Sequence, residues 1–285
     1  MTDSWPAPAK LNLFLHIIGR REDGYHLLQS VFQFLDFSDS LQFSCREDGR
    51  IQRINNVPGV AEQDDLCVRA AKLLQQETHV SQGVDIQLDK KLPLGGGVGG
   101  GSSDAATTLV ALNHIWKTGL ELHQLAALGL KLGADVPVFV HGYAAFAEGV
   151  GEKLQAINLP EPWFLVVKPP VHVSTEKIFN DPQLTRNSPA IRICDLQTGA
   201  MEINDLTNVC GPIAVHHYPA IAEVVEYLKH HGKARMTGTG ACVFVAFDTQ
   251  AQAQTALNDL SEKWRGFVAR GMNTSPLHRR LAELS

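Results

Sequence analysis

Residues 92–104 read Leu-Pro-Leu-Gly-Gly-Gly-Val-Gly-Gly-Gly-Ser-Ser-Asp, with six glycines in the seven positions 95–101. Each glycine costs about 0.5–1 kcal/mol of backbone entropy relative to alanine. Such a loop suits a backbone that must approach a ligand where side chains would block it. It leads straight into an expected helix, whose free N–H groups carry partial positive charge and suit a phosphate. Ser102 and Ser103 add hydroxyl donors, one of which could reach a metal. Asp104 complements the helix dipole or touches a metal-bound water. The bland alternative is a flexible turn. Walker A is excluded because no lysine follows the glycines. Gly95, Gly97 and Gly100 match GxGxxG, but in so glycine-rich a run the match is nearly automatic. The HRD and DFG segments of protein kinases are absent.

Phosphoryl transfer needs positioning, charge neutralisation and a group that accepts the hydroxyl proton. Lys10 and Asn12 stand two apart in the apolar run 8–15, so on a strand they share a face. The alternative for Lys10 is an edge-strand lysine in water. Asp135 follows a helix stop at Gly133 among apolar residues, where it could instead cap the next segment. A Lys10–Asp135 pair would keep the carboxylate ionised and make an acceptor hydroxyl more acidic. Tyr25 offers a stacking face to a base and His26 offers ring nitrogens to its edge; alone, both would read as surface or core residues. A second glycine loop, 236–242, precedes a strand and by itself reads as a tight strand-entry turn. The histidines show no metal-binding spacing.

The elements that must position these groups are visible in the hydrophobic pattern. Strands are expected at 9–17, around 31–35, and at 84–88, 163–168, 242–247 and 266–271. Helices are expected at 66–74, 104–116, 121–132, 221–228 and 250–264, and a loop-rich stretch at 180–208. Prolines at 160, 162, 169 and 170 mark a seam, suggesting two α+β domains, 1–155 and 156–285. The 285 residues, 44% hydrophobic and 19% charged, allow a real core. A net charge of -5 argues against nucleic acid as the main partner. No apolar run reaches the ~18 residues of a membrane span, and no secretory signal is seen. Five scattered cysteines fit reduced, mostly buried thiols in a cytoplasmic protein.

Taken together, the segments 8–15, 92–106 and 236–244 resemble, in order, the three motifs of the GHMP kinase superfamily. The segments 23–33 (DGYHLLQSVFQ) and 146–152 (FAEGVGE) narrow the resemblance to its branch acting on 4-(cytidine 5'-diphospho)-2-C-methyl-D-erythritol. The resemblance covers about residues 5–278. It implies an N-terminal domain like ribosomal protein S5 and a ferredoxin-like C-terminal domain. It implies ATP-dependent phosphorylation of the substrate's 2-hydroxyl, with Mg²⁺, in non-mevalonate isoprenoid precursor biosynthesis. Asp135 falls at the general base, Lys10 at its partner and Asn12 at a substrate contact. Tyr25, His26 and Phe179 fall at positions that hold cytosine, with Val150 lining that pocket. Gly238 and Thr239 fall on the substrate side. Leu66 and Lys90 fall near adenine; Pro93, Gly95, Gly96, Gly97, Val98, Gly99, Gly100, Gly101, Ser102 and Ser103 fall on the ATP phosphate loop. Asp65 stands where asparagine can occur, and a carboxylate cannot donate to a base edge as an amide does. No metal ligands are assigned, and a monomer or homodimer is expected.

Three rivals remain. The fold could act on another alcohol, such as a sugar, homoserine or mevalonate. The chain could bind nucleotide without catalysis. The formal GxGxxG would suit a dinucleotide oxidoreductase.

Overall fold

The computed structural model describes residues 4–284, so residues 1–3 and 285 of the two expected domains lie outside the described part. The strands are β1 (Ser4–Arg20), β2 (His26–Arg46), β3 (Ile51–Arg53), β4 (Gly83–Asp89), β5 (Ala145–Glu148), β6 (Lys153–Ala156), β7 (Trp163–Lys168), β8 (Arg235–Met236), β9 (Val243–Phe247) and β10 (Arg265–Met272). The helices are α1 (Leu66–Thr78), α2 (Gly100–Ile115), α3 (Leu122–Leu130), α4 (Val136–His141), α5 (Thr175–Asn180), α6 (Ile193–Gln197), α7 (Cys210–His217), α8 (Pro219–Lys229), α9 (Gln250–Asn258) and α10 (Pro276–Leu284). The architecture is mixed α+β. The sheet runs β3-β4-β2-β10-β7-β9-β8, with β1 and β5 also paired to β2. Among the described residues no helix is long and apolar enough to cross a membrane.

β1 organises the interior. Its alternation sends Trp5 and Ala7 into the core around α2, Ala9, Leu11 and Leu13 into a central core, and Leu15 and Ile17 into a third core with α7 and α8. The even positions Lys10 and Asn12 are thereby left for the site. β10 joins the sheets by pairing Gly271 and Met272 with Leu35 and Phe34 of β2. α10 then returns the chain to the first core through the fully buried Leu277.

Several boundaries differ from the sequence expectation. α2 starts four residues earlier than 104, inside the glycine run. Gly99 serves as N-cap with φ 76°, a left-handed conformation that glycine adopts without a Cβ penalty. α9 stops at Asn258 rather than continuing to 264; residues 259–264 turn back so that Trp264 packs on Tyr227. The stretch 180–208 contains the short α6 and a 3₁₀ turn at Ile203–Asp205. Cys45 and Cys194 are exposed, while Cys67, Cys210 and Cys242 are buried.

An ionic cluster pins α2 to the sheet. The Lys90 ammonium lies 2.6 Å from Asp39 Oδ2 on β2 and 2.5 Å from Asp104 Oδ2 on α2. Asp39 Oδ1 also accepts the N–H groups of Lys91 and Leu92. Two buried carboxylates thus share one ammonium, and Asp104 Oδ1 has no hydrogen-bond partner. An unpaired buried carboxylate oxygen is costly. Burial pushes the Asp104 carboxyl up to about 8; Lys90 opposes the rise and the nearby Asp39 charge adds to it. For Lys90, burial works against the charge but the two carboxylates outweigh it, holding the ammonium above its usual range.

An unfolded aspartate ionises near 3.8. Between about pH 4 and pH 8 the folded protein therefore binds more protons at this site than the unfolded chain, and this group's contribution to stability falls as pH rises. Asp104→Asn cannot ionise. Its unfolding free energy, from urea titrations between about pH 5 and pH 8, should fall less steeply with pH than the parent's. Equal slopes would mean that Asp104 is already ionised across this range.

Candidate active site

A cleft of about 1090 Å³ gathers the groups singled out in the sequence. Lys10, Asn12 and Asp135 line it together. One wall is the glycine run with Pro93 and Ser102, flanked by Leu66 and Lys90. Tyr25, His26, Val150 and Phe179 line it too, and so do Gly238 and Thr239 of the second glycine loop. Two expected residues do not line it. Val98 is buried in the central core, and Ser103 is buried with its hydroxyl unpartnered. One follows from a side chain that turns inward within the loop. The other lies on the inner face of a helix that begins earlier than its pattern suggests.

Lys10 is only 2% exposed, yet its ammonium is fully served. Nζ donates to Asn12 Oδ1 at 2.6 Å and to the Gly97 carbonyl at 3.2 Å, and lies 3.2 Å from Asp135 Oδ2. It also sits 5.1 Å from the centre of the Phe32 ring, in cation–π range. Asn12 is itself fixed: Nδ2 donates to Ser30 Oγ, which donates to the Phe14 carbonyl. Asp135 sits at the N-cap position of α4, but its side chain makes no capping bond. It is 37% exposed, so one face of the carboxylate stays open to the cleft. The attraction to Lys10 is at most about 5 kcal/mol at an effective dielectric near 20, before the cost of burying the ammonium.

The two glycine loops are docked on each other. Cys242 N–H donates to the Gly96 carbonyl and Thr237 Oγ to the Gly97 carbonyl. Gly97 has φ 74°, and a Cβ there would lie 2.3 Å from the Thr237 carbonyl oxygen. Asn208 holds the second loop from the other side, donating to the Met236 and Gly238 carbonyls. The strand-entry turn is therefore also a buttress for the first glycine loop. The first i→i−4 bond of α2 runs from Ser103 N–H to the Gly99 carbonyl, which leaves the preceding N–H groups without helical acceptors. Such a helix start attracts an anion.

At the far end His26 and Phe179 stack with ring centres 5.2 Å apart and planes at 19°. Tyr25 is 64% exposed and also lines the cleft. Burial, then the charges of Arg186 and Arg20, hold the His26 imidazole below its usual range. Asp65 takes no position at the cleft. It caps α1 by accepting the Cys67 N–H, and its other oxygen pairs with Arg53. Sequence reasoning passed over Arg20, His172, Thr175 and Glu176, which line the cleft, and Asp39 and Arg186 behind it. An arginine in a loop-rich segment carries no signal of its own. His172 could have been suspected from its place just after the proline pair 169–170. Among the described residues no group of three or more His, Cys, Asp or Glu is arranged to hold a metal ion.

Comparison with known proteins agrees with this geometry. Residues 65–143 match the family described as GHMP kinases N terminal domain, and residues 199–266 the one described as GHMP kinases C terminal. The chain is 57% identical to the 4-diphosphocytidyl-2-C-methyl-D-erythritol kinase of Nitrosococcus oceani, covering 96% of each chain. It is 54% identical to that of Halorhodospira halophila, covering 98% of this chain and 96% of the other. Among solved structures, a 4-(cytidine 5'-diphospho)-2C-methyl-D-erythritol kinase superposes with a TM-score of 0.82 at 31% identity, over 94% of this chain and 99% of that one. The mevalonate kinase of Methanococcus jannaschii, at 18% identity and a TM-score of 0.71 over 96% of this chain and 99% of that one, shares the fold. The chain belongs to the GHMP kinase family, within the group of the 4-diphosphocytidyl-2-C-methyl-D-erythritol kinases.

Proposed function

We propose that this protein transfers the terminal phosphoryl group of ATP to the 2-hydroxyl of 4-(cytidine 5'-diphospho)-2-C-methyl-D-erythritol, a step in non-mevalonate isoprenoid precursor biosynthesis. The observation that carries the reading is the Lys10–Asp135 pair at 3.2 Å beside a phosphate-binding loop in a single cleft. Asp135 accepts the proton of the acceptor hydroxyl. The freed oxygen attacks the γ-phosphorus, the bond from that phosphorus to the β–γ bridging oxygen breaks, and ADP leaves. Lys10 stabilises negative charge developing on the acceptor oxygen. Asn12, held by Ser30, fixes the ammonium in place. The α2 start and the glycine backbone hold the donor phosphates in line.

Magnesium would neutralise phosphate charge and take most of its ligands from phosphate and water, as is usual for this ion. The Ser102 hydroxyl, which lines the cleft beside the glycine run, is one oxygen of this chain that would suit such a role. The cytosine is taken up at the aromatic end by Tyr25, His26 and Phe179. That end favours a cytidyl acceptor over homoserine, mevalonate or a sugar, none of which offers a base to stack.

The reading is tested by coupled ADP release with the cytidyl substrate and Mg²⁺-ATP, run beside homoserine, mevalonate and galactose. Release with one of those alcohols alone would move the substrate elsewhere in the family; nucleotide binding without acceptor-dependent release would make the chain a non-catalytic module. General-base help is worth about 10²–10⁴ in rate. Asp135→Ala should lose at least that much turnover while binding ATP nearly as well as the parent by calorimetry. Turnover within about tenfold of the parent would reject the base assignment. Tyr25→Ala should raise KM for the cytidyl substrate more than KM for ATP, and the opposite order would place the base pocket elsewhere.

A further inference from the structure

Arg186 lies in the segment between α5 and α6 and makes an unusual set of contacts. Its Nε donates to His26 Nε2 at 3.1 Å. Nη2 donates to the Phe179 and Asp181 carbonyls, both at 2.8 Å, and Nη1 to the Leu184 carbonyl at 3.1 Å. Among the described residues no carboxylate pairs with it. A guanidinium that spends its planar fork on three carbonyls and one imidazole nitrogen is organising a loop, and it does so at both members of the His26–Phe179 stack.

We infer that Arg186 is the positioning residue of the base pocket: it fixes His26 as the Nδ1–H tautomer and ties it to the end of the helix that carries Phe179. This rests on the cytidyl-kinase reading. A neutral imidazole has one donor and one acceptor nitrogen. Because Nε2 accepts from Arg186, the proton resides on Nδ1. Nδ1 has no hydrogen-bond partner in the chain among the described residues, so it is the donor left for a ligand. A pyrimidine with acceptors on its edge, as cytosine has at N3 and O2, meets such a donor. The lowered proton affinity of His26 acts in the same direction, since a doubly protonated ring could not accept from Arg186. Arg186 also holds the carbonyls at 179, 181 and 184 together, so the Phe179 ring is set before substrate arrives. A pocket ordered in advance loses less conformational entropy on binding.

The test combines kinetics with a direct reading of the tautomer. Long-range ¹H–¹⁵N spectra of the substrate-free parent should show His26 as the Nδ1–H form. Arg186→Ala should shift it to a mixture or to the Nε2–H form. Arg186→Lys keeps the charge but not the fork. Both variants should raise KM for the cytidyl substrate by about tenfold or more, the scale of one lost positioning hydrogen bond. Their KM for ATP and kcat should stay within about threefold of the parent. An Nε2–H tautomer in the parent overturns the inference, even if neither variant folds. So does an unchanged KM for the cytidyl substrate, or a KM for ATP that rises in step with it. Lack of turnover by the parent with the cytidyl substrate is a different failure. It removes the substrate reading and the role built on it, while the tautomer still reports whether the Arg186–His26 contact exists.

Discussion

An ammonium taken out of water must be repaid by well-placed oxygens, and Lys10 sets that demand at the centre of this molecule. A buried unpaired lysine would give up its proton rather than its hydration. Here three oxygens surround it: an amide from its own strand, a carbonyl from the glycine loop and a carboxylate from the start of α4. These come from residues 12, 97 and 135, so satisfying one charge draws together three distant stretches of chain. The bulge in β2 between Phe34 and Ser38, opposite Pro8 to Lys10, and the bare Gly99, whose Cβ would press on Phe139 and the lysine stem, are accommodations to that convergence.

The first glycine loop is held by many contacts in spite of its composition. Glycine removes side chains but adds entropy to the unfolded chain, so the ordered loop must be held by contacts from outside. Thr237 and Cys242 grip it from one side, Lys10 from another, and the Lys90 cluster locks its flanks through Asp39 and Asp104. Asp39 serves both the Lys90 side chain and the two backbone N–H groups that follow, so the turn leading into Pro93 has little freedom. The helix start is thereby presented in a fixed direction, which is the condition for using its dipole on a transferring phosphoryl group.

How far the sequence foretells this arrangement depends on the length scale of each contact. Period-2 alternation puts Lys10 and Asn12 on one strand face, and glycine spacing before Ser102 marks a helix start; both are local. α4 escaped notice because Val-Pro-Val-Phe-Val is β-branched and too short for a helical period, and only packing against α3 and α2 decides its state. Val98 and Ser103 look like loop residues from their neighbours, yet burial claims both. The second glycine loop carries no local sign that it braces the first, since its partners lie about 140 residues away in the chain. Recognition of a family supplied the long-range pairing that periodicity could not. It did not point to Arg186, whose importance lies in what its donors reach rather than in its type or spacing.

The cleft has two ends built on different terms. Around Lys10 the groups sit on strands, on a helix start and on a loop clamped at several points, and the contacts are between charges and backbone. Around His26 they sit at the start of β2, on the turn before it and on the short α5, tied by one guanidinium. In the proposed reaction the first end handles a phosphoryl group that every alcohol acceptor of such a kinase would share, while the second handles the part of the substrate that differs. Specificity in such a site belongs where sequence can change without disturbing the ammonium. Loops joined by a few side-chain bonds meet that need, because altering them does not reopen the demand made by Lys10.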